Sequence, residues 1–170
     1  MCGESNRPTF GGTIAVLFPP DNQSSRATSE RSRSSSPDSV SSNSSNSSSS
    51  SYSLFFRDAG KSGCRNTRAI FQFNDMETYE ALRECRQVNM RIEKYGDLSA
   101  ASQNIVPLHS FRLDLAQSPA TKSGHSQAEM EFELTERLDL GVSEMGVIGR
   151  QVSVSDADGL VLGVGIVGYN

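Results

Sequence analysis

TRAIFQFNDMETYEALREC, residues 67–85, decides the fold, because its hydrophobic period changes from two to near four within one short stretch. Over Thr67–Phe73 the apolar side chains alternate with polar ones, the pattern of a half-buried strand. Asn74 then stands three residues before Glu77, the spacing of a capping box that starts a helix. Met76, Tyr79, Leu82 and Cys85 gather on one face beside Ala81, and Glu77, Glu80, Arg83, Glu84 and Arg86 occupy the other. The spacing predicts a strand followed by a helix over roughly 75–87.

The same reading extends in both directions. Upstream, Leu54-Phe55-Phe56 and the polar, glycine-containing turn that follows make a hairpin with Thr67–Phe73. Downstream, three segments alternate with a period of two: Val88, Met90 and Ile92; Phe111, Leu113 and Leu115; Met130, Phe132 and Leu134. The closing stretch, Val147–Val154, then SDADG, then Leu160–Val167, reads as a second hairpin. Its last strand is almost continuously apolar, so it must be central or covered, since such an edge would pair with other chains. Near the N-terminus, Gly11–Phe18 is β-prone and stops at Pro19-Pro20. It needs a partner distant in sequence, because an isolated strand leaves its backbone groups unpaired. The expected fold class is α+β: a largely antiparallel sheet of about six or seven strands with one principal helix.

With 35% hydrophobic and 7% aromatic residues and no Trp, the 170-residue chain averages too polar for a globular domain of its length. The deficit is local. Between Ser24 and Ser53, 18 of 30 residues are Ser, a composition that cannot bury enough apolar surface to fold and is expected to be disordered. The chain thus divides into residues 1–23 with one strand, a Ser-rich insertion over 24–53, and an α+β domain over 54–170.

Charge is distributed unevenly. Residues 1–53 sum to zero, 54–94 carry +2, and 95–170 carry −6. That balance disfavours a broadly basic nucleic-acid binder, which needs clustered Lys and Arg. The one local excess is Arg57, Lys61, Arg65 and Arg68, a candidate anion-binding patch for RNA or anionic lipid. On Glu129, Glu131 and Glu133 the alternation makes an acidic row on a single strand face, most simply a solvated one. Cys2, Cys64 and Cys85 form no C-x-x-C pair, and His109 and His125 stand in no zinc-binding context, so no metal site and no cofactor are expected. Neither a signal peptide nor a run of about 20 apolar residues is visible, which points to the cytoplasm or nucleus.

Several motifs fall short of a chemistry. In Ala59-Gly60-Lys61-Ser62, the first glycine of a phosphate-binding loop would fall on Phe55. Asp156-Ala157-Asp158-Gly159 opens like a calcium loop but has no Glu at the twelfth position, so it reads as a turn. The stretch RAIFQFNDMETYEALREC resembles the third strand and second helix of an RNA-recognition motif, which would imply bases stacked on strand aromatics. Arg68 and Ile70 stand where those aromatics belong, and the Ser-rich block replaces the preceding strand and helix. Nucleophilic catalysis needs a base and an orienting acid beside Ser or Cys. Only His109 lies near an ordered strand, where Asp114 or Glu131 are the carboxylates to test. No catalytic residue is assigned.

Function is therefore expected from surfaces. The element content resembles that of pleckstrin-like domains, in which a curved sheet and one helix offer a groove. The expected activity is a non-enzymatic protein-interaction or regulatory module. Arg31-Ser32-Arg33-Ser34 and Ser36-Pro37 place Ser32, Ser34 and Ser36 in contexts that kinases favour, and each phosphate adds about −1.5 to −2 charge. RNA or anionic-lipid binding and a small enzyme are the alternatives.

Overall fold

The computed structural model describes residues 12–20, 50–58, 66–98, 106–116, 121–122 and 128–170. Its strands are β1 (Thr13–Leu17), β2 (Tyr52–Asp58), β3 (Thr67–Phe73), β4 (Gln87–Ile92), β5 (His109–Asp114), β6 (Thr121–Lys122), β7 (Ala128–Glu133), β8 (Gln151–Asp156) and β9 (Val161–Tyr169), and helix α1 (Met76–Glu84) joins β3 to β4. They form one sheet in the order β5-β4-β8-β9-β1-β2-β3-β7-β6, antiparallel throughout. This is more than the six or seven strands the sequence leads one to expect. Eight long strands curl into a nearly closed barrel, and β6 adds a two-residue fringe. Curling resolves the edge problem that a flat sheet of this size would face.

Alternation along each strand sends one set of side chains inside. Leu54 and Phe56, Phe71 and Phe73, Val88, Met90 and Ile92, Phe111, Met130, Val152 and Val154 are all buried in one continuous core. The glycine-rich β9 lies between β8 and β1, the central position its apolar run demands, and β1 pairs with both β2 and β9.

At one end of the barrel sits α1. The helix is shorter than the 75–87 read from periodicity, and its cap is Asp75 rather than Asn74. Asp75 is extended, and its Oδ1 accepts from the Thr78 amide at 2.7 Å, while Asn74 donates to the Ser51 carbonyl at 3.3 Å. That amide bond holds the Asp75 carboxyl below its ordinary pKa. Met76, expected on the buried face, is half exposed; Thr78, Tyr79 and Leu82 are the buried residues. The helix ends because Arg86 adopts left-handed φ of 54° and turns the chain into β4.

The opposite end is closed by residues 134–150, which bury Leu134, Leu138 and Val147. The buried Thr67 anchors this cap: its carbonyl accepts from the Leu134 amide at 2.8 Å and its Oγ1 from the Leu138 amide at 2.9 Å. Arg150 fixes the cap from the side. Its guanidinium donates to the carbonyls of Gly146, Lys94 and Glu144. The SDADG stretch is the turn it promised, with Asp156 Oδ1 accepting from the amides of Asp158 and Leu160 at 2.9 and 2.8 Å. The Ser-rich insertion over 24–53 falls outside the described residues up to its last four, and Tyr52 already belongs to β2.

Candidate functional site

β1 has two apolar faces, although only one enters the barrel. Ala15 and Leu17 point in with Thr13, while Ile14, Val16 and Phe18 point out. Cross-strand register aligns the outward set with its neighbours. Ile14 pairs with Phe55 and Phe55 with Ile70, a line across three strands, and Phe18 bridges Val164 of β9. Val16 is 42% exposed and Phe18 61% exposed. An outer sheet face in water normally carries polar side chains. Here the middle of the sheet presents an apolar strip instead.

The strip is bounded by charge along β3 and β7. Arg57 and Arg68 are cross-strand partners on the outside of β2 and β3. The Arg57 guanidinium lies 5.6 Å from the centroid of the Phe55 ring, within cation–π range. Arg68 forms an ion pair with Glu131 at 3.0 Å. On either side, Gln72 donates to Glu129 at 2.9 Å and Asn66 to Glu133 at 3.0 Å, so each acid of the row has a partner on β3 or on the residue just before it. Exposed contacts of this kind contribute roughly 0.2–1 kcal/mol each, enough to set register but not to carry the fold. Lys61 and Arg65, the other members of the candidate patch, lie outside the described residues, as do Ser32, Ser34 and Ser36.

His109 occupies the seam where the barrel comes closest to closing. Its Nδ1 lies 3.0 Å from Glu136 Oε1, its side chain is 9% exposed, and its Nε2 is buried with no hydrogen-bond partner among the described residues. The carboxylate beside it is thus neither Asp114 nor Glu131: Asp114 accepts from the Ala116 amide at 3.0 Å, and Glu131 faces Arg68. Neither a cavity of about 480 Å³ beside Asp58 and Arg137 nor a smaller one under α1 is lined by His109. Among the described residues no group of three or more His, Cys, Asp or Glu could hold a metal ion, and no helix is long and apolar enough to cross a membrane.

Sequence reasoning missed the outward strip, although its signal is present. TIAVLF is apolar at consecutive positions, the pattern of a strand covered on both faces. It also missed Glu136, which lies 27 residues from His109 and reaches it only through the barrel's curvature. No family model, no curated protein and no solved structure matches the chain.

Proposed function

We propose that the chain is a non-enzymatic protein-interaction module, acting in the cytoplasm or nucleus, that presents the outer face of β9, β1, β2 and β3 to a partner protein. The observation that carries this reading is the apolar strip of Ile14, Val16, Phe18, Phe55 and Ile70 in the middle of the sheet. Interface cores are depleted in charge and enriched in aromatic residues and Arg. Phe18 and Phe55 supply the anchors, and Arg57 stands at the rim. A polyanion is the weaker partner for this surface, because Arg68 already spends its charge on Glu131. Phosphorylation of Ser32, Ser34 or Ser36 regulates the interaction in this reading.

Site-specific crosslinking tests it in cells expressing the full chain. A photoreactive phenylalanine analogue replaces Phe55 in one variant and Arg112, on the opposite side of the barrel, in another. The expected result is a discrete protein adduct from position 55 that is lost on adding Val16→Asp and absent from position 112. Equal adducts from both positions, or none from position 55, would overturn the proposal. Replacing Ser32, Ser34 and Ser36 together with Ala is expected to change the adduct yield; an unchanged yield removes the regulatory part.

A further inference from the structure

The outer strip has a shape as well as a polarity. Its midline is β1, whose outward residues Ile14, Val16 and Phe18 are flanked by β9 on one side and β2 on the other. Beside Ile14, β2 places the ring of Phe55, and β9 places Gly168, which has no side chain. Beyond its chain neighbours, the nearest atom to a Cβ at Gly168 would be the Ile14 carbonyl oxygen at 3.9 Å, so the glycine leaves a shallow hollow in the face. One step along the strip the order reverses. Val16 pairs with Ser53 of β2, a small side chain, and the next outward residue of β9 is the bulky Ile166.

A two-fold axis running parallel to β1 makes this relief complementary to itself. It lays β2 of one copy against β9 of the other and keeps every residue at its own height along the strands. Phe55 then faces Gly168 of the second copy and Ile166 faces Ser53 of the second copy, and symmetry makes each pairing occur twice. Sheets packed face to face run about 30° from alignment, an angle this axis permits. Charge selects the same axis. A two-fold across the strands would set each strand on itself and turn the row Glu129, Glu131 and Glu133 toward its own copy. The axis along β1 sends the two acidic rows, and Arg57 with them, to opposite flanks. On β1 and β9 no outward side chain is charged, and the barrel's curvature draws the charged strands away from the contact.

We infer that the partner of the outer strip is a second copy of this chain, packed about a two-fold axis parallel to β1 with Phe55 of each copy seated over Gly168 of the other. Such pairing depends on this face being an interface at all, the reading just proposed, and specifies its occupant.

Sedimentation equilibrium of the purified full chain is expected to show a reversible monomer–dimer equilibrium in the micromolar range. Gly168→Phe fills the hollow and Phe55→Ala removes the knob, and each should weaken the dimer about tenfold or more. Combined in one chain, they exchange knob and hollow between β2 and β9, and the double variant should regain most of either loss, a coupling that a local defect in one strand would not produce. Val16→Asp, at a position 42% exposed on the midline, sets two carboxylates against each other and should abolish the dimer. Thermal melts establish that the variants are folded. The photoreactive analogue at position 55 should yield an adduct of twice the chain's mass. A chain that stays monomeric, a dimer indifferent to Gly168→Phe or Val16→Asp, or a double variant no better than the single ones overturns the inference. A monomeric chain whose position 55 captures a different protein excludes the second copy and leaves the interface reading standing, whereas no adduct from position 55 removes both.

Discussion

Gly163→Ala is the sharpest probe of how the barrel is packed, because its cost should depend on one oxygen atom. The added methyl would meet Tyr52 Oη at 2.5 Å, Tyr52 Cζ at 3.0 Å and Leu17 Cβ at 3.1 Å. Only the first distance is shorter than side chains tolerate without moving, and the phenol cannot move away because Phe73 is stacked on it. Overpacking of this kind costs about 1–3 kcal/mol. Replacing a strand glycine returns about 0.5–1 kcal/mol of backbone entropy, so the net loss should be about 1–2 kcal/mol. In a Tyr52→Phe background the offending oxygen is gone and most of that loss should disappear, a coupling of about 1 kcal/mol or more. Tyr52→Phe alone should be neutral or stabilising, since it removes a buried hydroxyl that has no hydrogen-bond partner among the described residues. Urea denaturation followed by circular dichroism reads all four proteins. At a typical m-value the single glycine variant should shift its midpoint down by roughly 0.5–1 M, and the double variant by much less. An equal loss in both backgrounds, or none in either, would refute the packing argument.

Four further outcomes can be checked by the same melts. Asp75→Ala should cost about 1 kcal/mol, the worth of a helix cap. Because the folded carboxyl sits below its ordinary value, this contribution is complete above the usual Asp range near pH 4 and is lost as pH falls through the lowered folded value; Asp75→Ala should therefore lose part of its stability gap to the parent in acid. Arg150→Lys should destabilise by about 2 kcal/mol, since an ammonium cannot reproduce a planar fork that serves three carbonyls. Thr67→Val keeps the buried shape but leaves the Leu138 amide without its acceptor, for a loss of about 1–3 kcal/mol. Arg86→Gly should stabilise by roughly 0.5–1 kcal/mol, because φ of 54° is strained for a residue with a Cβ. A destabilised Arg86→Gly would show that the Arg side chain contributes more than its backbone costs.

What the sequence made legible was local. β4, β5 and β7 announce themselves by alternation, and the closing hairpin by its Asp–Gly turn, because each pattern is complete within ten or so residues. The cap moved from Asn74 to Asp75 because adjacent Asn and Asp are both competent, and the choice depends on which backbone is extended where β3 ends. Barrel closure was hidden for a stronger reason. It requires β8 to pair with β4, across sixty or more residues, and β9 with β1, across more than 150, and such pairings leave no local trace. The candidate sites followed the same division. Arg57 and Arg68 were visible as a basic cluster, but the acid opposite Arg68 comes from the β3–β7 register. The close packing inside the barrel had one readable sign: Gly163 and Gly165 share the inward side of β9, and a pair of glycines at that spacing means that something large or a close backbone lies opposite.

The pairing of Leu17 with Tyr52 has a consequence for what the barrel can carry. The 34 residues between them start and finish at neighbouring positions, roughly 5 Å apart, at the end of the barrel that bears α1. Doubling or halving this stretch alters the closure entropy by about 0.6 kcal/mol, less than the cost of one misplaced methyl group in the core. The β1–β2 connection is accordingly a port: a domain with adjacent termini grafted there should leave the sheet register unchanged.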